Sequence, residues 1–370
     1  MKINFDEIFA VTAPGLEKVC ADEISSLLAR NVAAERGGVS FSGSLEDLYR
    51  VNLWSRVASR ILVRVGSVKA TDFPELHRKV KRLPWGRFVK PDTPIVVRSS
   101  SRQSRLNHTG RINETLIDAI NGSLGRTGCS TSATAQTIIA RFNNDSCQFS
   151  VDSSGELLHR RGYRTEVSQA PLRETLAAGI LRLLGWDEQQ PLYDPMCGSG
   201  TFLIEAALIA IDRAPGLERE FAFQSWPKYR AGLWNNILNE ARRNERQPTV
   251  SLCGSDVDAE VVEVAKRNAE RAGCADLINF SKVDIDDVEA GATSGMVVCN
   301  PPYGIRLGDE SELDPLYQKI GALYSKSFKG WRGALFCPSE QLAKETGLNL
   351  KVVAKLVNGG VPTNLFAGKL

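Results

Sequence analysis

The 370 residues include only three histidines and three methionines, and the eight cysteines lie scattered without a single CxxC pair. So few imidazoles and unpaired thiols argue against a zinc centre or a disulfide framework, and a cytoplasmic protein with reduced cysteines is expected. No apolar run approaches the ~20 residues a membrane span needs. The first ten residues carry Asp6 and Glu7 and lack a long apolar core, so no secretory leader is expected. There is no GxxxxGK[ST] run, which excludes a nucleoside-triphosphate P-loop. No tandem repeat or low-complexity tract is present. What is there is an ordinary globular composition, 42% hydrophobic and 24% charged, long enough for two or three domains.

The net charge of +3 hides an asymmetry. Residues 1–165 hold 24 Lys and Arg against 16 Asp and Glu, whereas residues 166–370 hold 22 against 27. Between residues 50 and 111 fifteen basic residues face only Asp72, Glu75 and Asp92. A basic first half on a near-neutral chain is the footprint of a nucleic-acid binder, although a solvated basic face has the same composition.

In that half, apolar periodicity predicts strands over 8–11 and 60–65 and helices over 16–28 and 45–53, in short α+β units of ferredoxin-like size. A helix over 75–83 and a strand over 94–98 follow. The polar stretch from Ser99 to Arg111 is read as a loop that offers Arg102, Arg105 and Arg111 to phosphates, with a helix over 112–124 after it. Two strands near 140–142 and 148–152 close the region. His159 to Arg164 is a second basic patch, in which Arg160 and Arg161 either touch nucleic acid or pin the linker.

The second half is organised by the ends of four predicted strands. The first leads from Leu192 through Asp194 and Cys197 to Gly198, Gly200 and Thr201, then an apolar helix over 202–211. A strand, a Gly-rich turn and a helix amino terminus make a nucleotide-type site, although the third glycine of a dinucleotide fingerprint is missing. Thr201 is expected to cap the helix. The second strand ends at Asp256, whose carboxylate suits two ribose hydroxyls. The third leads to Asp284, which suits an adenine amino group. The fourth, over 296–299, stops at Asn300, Pro301, Pro302 and Tyr303. Two prolines lack N–H groups and fix φ, so the strand ends in a stiff loop. The Asn300 side-chain carbonyl and the Pro301 backbone carbonyl are two acceptors for an NH2 group, and Tyr303 is an aromatic for stacking on a flat substrate. Between the first and second strands, residues 212–248 form an aromatic-rich insertion expected to be a helical subdomain near the site.

This ordered set resembles the class I S-adenosylmethionine-dependent methyltransferases that modify exocyclic amines. Residues 194–206 (DPMCGSGTFLIEA), 300–308 (NPPYGIRLG) and 158–164 (LHRRGYR) are similar to the THUMP-containing guanine-N2 RNA methyltransferases, above all the type that acts on bacterial 23S ribosomal RNA. The resemblance covers nearly the whole chain. It implies an α/β fold, a Rossmann-like class I methyltransferase sheet preceded by an α+β ferredoxin-like and THUMP RNA-binding region. It implies a ferredoxin-like segment over 1–65, overlapping a THUMP domain over 40–155. A linker over 156–170 and a catalytic domain over 171–370 follow. A longer form of that type adds a second methyltransferase domain, and one activity is expected from the motifs through Leu370.

By the same resemblance, Asp194, Cys197, Gly198 and Gly200 line the methionine part of S-adenosylmethionine, with Thr201 at the same turn. Asp256 holds the ribose with Val257 beside the adenine, and Asp284 and Ile285 meet the adenine. Pro171 and Glu174 border the cofactor. Asn300, which also borders the cofactor, and Pro301 hold the guanine amine, and Tyr303 stacks on the base. The expected partner is RNA, ribosomal before transfer RNA, with no metal and no membrane. The alternatives are the same chemistry on a DNA adenine or a protein glutamine, and a non-catalytic RNA-binding or ribosome-assembly module.

Overall fold

The computed structural model describes residues 3–126, 135–165, 172–303 and 313–370. Two seven-stranded sheets make up the molecule. The first contains β1 (Asn4–Val11), β2 (Ala33–Glu35), β3 (Gly38–Ser44), β4 (Arg60–Lys69), β5 (Ile95–Arg102), β6 (Gln136–Asn143) and β7 (Ser146–Asp152). Its order is β2-β3-β1-β4-β7-β6-β5. Helices α1 (Glu17–Leu28), α2 (Leu45–Trp54), α3 (Phe73–Val80) and α4 (Thr109–Ser123) complete it. β4 carries both sides of this sheet: its residues 60–63 pair with β1 and its residues 62–69 with β7. The basic loop is shorter than its composition predicts, because β5 pairs with β6 in parallel register out to Arg102 and α4 begins at Thr109.

The second half runs α5 (Glu174–Leu183), β8 (Leu192–Asp194), α6 (Thr201–Ala210), α7 (Ala231–Arg243), β9 (Leu252–Asp256), α8 (Ala259–Ala272), β10 (Ile278–Lys282) and β11 (Met296–Cys299). It ends with α9 (Leu313–Ser327), β12 (Arg332–Cys337), α10 (Glu340–Glu345), β13 (Lys351–Asn358) and β14 (Val361–Lys369). The order is β10-β9-β8-β11-β12-β14-β13. Neighbours are parallel up to β12, while β14 runs antiparallel to both β12 and β13. From β8 the chain winds outward to β9 and β10, then returns to place β11 on β8's other side. The strand order therefore reverses between β8 and β11, and in open α/β sheets ligands bind at such a switch, beyond the carboxyl ends of the strands.

Helix α6 (TFLIEAALIA) is apolar on every face, as a helix buried all round must be. Its one charge, Glu205, is 0% exposed. Arg161, itself buried, lies 3.4 Å from it, and the Tyr163 hydroxyl donates to it at 3.2 Å. Arg161 also donates to the carbonyls of Leu158 and Arg56. Arg56, from the loop after α2, donates to the carbonyls of Leu208 and Arg213 at the far end of α6. The two sheets thus meet across a buried, hydrogen-bonded set of charges.

The aromatic insertion also lies at this seam. The Phe223 ring stacks on Tyr49 at 4.4 Å, Trp226 Nε1 donates to Gln136 Oε1 at 2.7 Å, and Arg50 pairs with Glu240 at 2.7 Å. The expectation that residues 212–248 border the site is corrected here. The insertion leaves α6 at its carboxyl end and returns into the start of β9, both away from the strand ends that carry the motifs.

Removing Glu205 leaves Arg161 buried without its carboxylate. Glu205→Ala is expected to lower stability by about 3–5 kcal/mol. Arg160→Ala, which removes an exposed pair with Glu156, is expected to change it by less than ~1 kcal/mol. Urea unfolding of both variants, followed by tryptophan fluorescence, measures the difference.

Candidate active site

Four adjacent parallel strands, β10, β9, β8 and β11, bring the predicted motifs to one edge of the sheet. Asp194 is level with Gly254 on β9, and Val297 is level with Tyr193 on β11's other neighbour, β8. Asp256 and Asn300 therefore stand two residues, roughly 6–7 Å, beyond Asp194 on either side of it. Lys282, the last residue of β10, is level with Asp256, so Asp284 stands two residues beyond the end of that strand.

The Gly-rich turn is clamped onto β9. Cys197 N donates to Ser255 O at 2.9 Å, and Gly198 N donates to Asp256 Oδ2 at 3.0 Å. The other oxygen of Asp256 accepts from Asp258 N at 3.2 Å. Gly200 adopts φ 80°, and a Cβ there would sit 2.8 Å from the Phe280 ring, so only glycine closes the turn. Its left-handed backbone makes Gly200 the residue that starts α6. The expected cap by Thr201 is thus corrected: Thr201 is the first helical residue, and its Oγ1 accepts from Arg164 Nη2 at 2.6 Å. Sequence reasoning missed Asn268, fully buried on α8, whose Nδ2 donates to Ser199 O at 3.1 Å. Its signal was a lone amide on the apolar face made by Val262, Ala265 and Ala269.

Asp194 is buried at the base of the site and accepts from Met196 N at 3.2 Å. Burial, with Asp256 nearby, pushes its carboxyl up to about 8 against that hydrogen bond. Burial also lifts the Cys197 and Cys299 thiols well above their ordinary range, so both remain neutral and inert. Val257 is 62% exposed beside Asp256, and Ile285 follows Asp284, whose Oδ1 accepts from Asp286 N at 3.1 Å. Glu174 is buried in the first turn of α5, 3.6 Å from Arg164 Nε. Through Arg164 it reaches Thr201 and the start of α6. Pro171 and residues 304–308 of the proline motif lie outside the described residues.

At the close of β11, Asn300 Oδ1 is buried and has no hydrogen-bond partner among the described residues. Tyr303 is 9% exposed, and its hydroxyl accepts from Asn358 Nδ2 at 2.7 Å. A free buried acceptor beside hydrogen-bonded carboxylates and an exposed apolar residue fits a ligand that brings both an amino group and a flat ring.

The arginines divide. Arg102, Arg105 and Arg111 are exposed on the first sheet's side, with Arg111 over the Phe73 ring at 4.2 Å. Arg160 is exposed beside Glu156. Arg161 is corrected as a nucleic-acid contact: it is 5% exposed and fully engaged with Glu205 and two carbonyls, so it pins the linker. Among the described residues, no group of three or more His, Cys, Asp or Glu is placed to hold a metal, and no helix is long and apolar enough to cross a membrane.

Such a sheet, with its motifs at the switch point, defines an S-adenosylmethionine-dependent methyltransferase. A crystal structure described as a candidate methyltransferase, SMU.472, complexed with S-adenosylhomocysteine, superposes with a TM-score of 0.92 at 32% identity, covering 100% of this chain and 99% of that one. Family models match residues 161–365 as the RMKL-like methyltransferase domain, 7–62 as the RlmL ferredoxin-like domain and 70–152 as the THUMP domain. The chain belongs to the RMKL-like methyltransferase family, and its cofactor is S-adenosylmethionine. A Synechocystis protein provisionally named an RNA methyltransferase is 37% identical over 98% of this chain and 96% of its own length. The ribosomal RNA large subunit methyltransferase K/L of Syntrophotalea carbinolica is 37% identical over 97% of this chain and 53% of its own length. The chain thus spans about half the length of the K/L proteins it matches.

The folded protein holds the Asp194 proton up to about pH 8, whereas an unfolded aspartate releases it near pH ~4. Between those values the native state binds more protons, so this group lowers stability as pH rises. Asp194→Asn keeps the shape and the acceptor while removing the titration. Its stability relative to the parent is expected to climb from pH 4 to pH 8, measured by urea unfolding across that range.

Proposed function

We propose that this chain transfers a methyl group from S-adenosylmethionine to the exocyclic amino group of a guanosine in structured RNA, with large-subunit ribosomal RNA the favoured substrate. The observation that carries this reading is Asn300 Oδ1, buried at the close of β11 without a hydrogen-bond partner among the described residues, one strand away from the Gly-rich turn.

When bound, the cofactor supplies an electrophilic methyl group on a sulfonium. Asp256 and Asp284 are acceptors for ribose and adenine, and the turn at Asp194, Cys197, Gly198 and Gly200 receives the methionine part. Asn300 Oδ1 and Pro301 O accept the two hydrogens of the target amine. That holds the nitrogen with its lone pair facing the methyl group, against the delocalisation that makes a guanine amine a poor nucleophile. The N–C bond forms as the S–C bond breaks in line, and the nitrogen then loses a proton to water. Positioning supplies much of the rate. The neutral thiols of Cys197 and Cys299 take no part, which suits attack by an amine rather than by a protein thiolate. Exposed Arg102, Arg105, Arg111 and Arg160 are candidates for phosphate contacts, and a paired target base must swing out of its stack to reach Asn300. The RNA methyltransferase names of the relatives favour RNA over the DNA and protein amines that similar loops serve.

Asn300→Ala is expected to lower methyl transfer to RNA by about 100-fold or more, with S-adenosylhomocysteine affinity unchanged by calorimetry. Asp256→Ala should instead weaken that affinity about tenfold or more. Labelled-methyl transfer into separate RNA, DNA and protein pools, followed by nucleoside analysis, checks the substrate. Label in a DNA adenine or a protein glutamine would overturn the guanosine assignment, as would full turnover by Asn300→Ala.

A further inference from the structure

The β13–β14 hairpin reaches past the edge of the sheet on the side that carries the motifs. Cys337 at the end of β12 is level with Asn364 on β14, which is level with Lys355 on β13. Asn358 stands three residues further out, roughly 10 Å beyond the end of β12. There the hairpin closes through Gly359 and Gly360, with φ of 59° and 92°. Two consecutive left-handed residues make the tight two-residue loop whose twist matches the strands, so the tip has a fixed shape.

From this tip the Asn358 side chain, 6% exposed, donates from Nδ2 to the Tyr303 hydroxyl at 2.7 Å. The partners are 55 residues apart, and both are buried. β11 and β13 are separated by β12 and β14. The chain beyond β11 therefore crosses the ends of two strands before Tyr303 meets the hairpin. Two prolines stiffen the start of that crossing, and the hydrogen bond to Asn358 fixes its far end.

We propose that Asn358 is a positioning residue for methyl transfer: it holds the ring of Tyr303, and through that ring the orientation of the acceptor base against Asn300. This rests on the function proposed above. An aromatic ring that stacks on a base sets the base's plane, and a tilt of that ring on loss of the hydrogen bond to Asn358 would leave the amine misaligned. A small error in alignment at the reacting centre is costly. The hairpin thereby becomes part of the wall that decides how a base is presented, although it contributes no group to the chemistry.

The test is a double-mutant cycle on the whole chain, with Asn358→Ala, Tyr303→Phe and the two combined, assayed for labelled-methyl transfer to RNA. Tyr303→Phe keeps the ring and removes only the hydroxyl, so it does not depend on Asn358→Ala folding well. Each single variant is expected to lose roughly tenfold in kcat/KM, the worth of one buried hydrogen bond. The combined variant should lose no more than either alone. Affinity for S-adenosylhomocysteine should be the same in all four proteins. Losses that multiply would mean that Asn358 does not act through Tyr303, and that result overturns the proposal, as does full activity in Tyr303→Phe. If the parent protein methylates DNA or protein instead of RNA, the proposed function fails, and the same cycle run on that acceptor still decides the role of Asn358.

Discussion

The structure depends on a carboxylate that water cannot reach. Glu205 sits in the middle of a helix that is otherwise apolar, and a charge in that position is tolerable only when it is paired and hydrogen-bonded. Arg161 and Tyr163 meet it from the linker, while Arg56 caps the carbonyls at the other end of the same helix from the amino-terminal half. Burying these groups is expensive, and an apolar set of the same shape could hold the halves together as tightly. What the charges add is a single way to fit. Arg56 Nη2 and the Arg161 guanidinium each meet particular carbonyls across the seam, which fixes how the first sheet sits against α6.

The same helix begins at the Gly-rich turn, so the seam between the halves and the cofactor turn are two ends of one rigid element about 15 Å long. Arg164 makes the link explicit by reaching from the linker to Thr201. Beyond the turn, the parallel strands do the rest. Their registers set Asp256 and Asn300 at equal heights on either side of Asp194, and the carboxylate of Asp256 is already steadied by two backbone N–H groups. Asn300 differs in having an acceptor that nothing in the described protein satisfies.

Much of this was legible from short stretches of sequence. The Gly-Ser-Gly turn, the acids at 256 and 284 and the proline motif are each local signals, because turns and strand ends are set by a few neighbouring residues. Their order also pointed to the fold class, which the sheet and the family match bear out. What could not be read were the partners at long range. Arg161 could not be told from a nucleic-acid contact because its carboxylate lies 44 residues on, inside a run of apolar residues. Thr201 looked like a cap because the left-handed backbone of Gly200 cannot be seen in the letters. The aromatic insertion looked like a neighbour of the site, since only the direction of α6 reveals that it emerges on the other side. Asn358 drew no notice at all: an asparagine before two glycines reads as a turn, and nothing nearby says that its amide reaches back to Tyr303.

The strand shared within the first sheet has a consequence for how this region can be divided. The family matches stop at residue 62 and resume at residue 70, yet the residues between them are the part of β4 that pairs with β7, and β4 passes from β1 to β7 at residues 62–63. A cut there would not separate two modules along a tether. It would split one strand lengthwise in its duties and hand each fragment a raw, unpaired border, the kind of surface that recruits stray chains. The two amino-terminal units share one strand, and a fragment meant to carry the THUMP match by itself would have to begin at or before Leu62, where the pairing with β7 starts, leaving Leu62 and Val63 without their β1 partners.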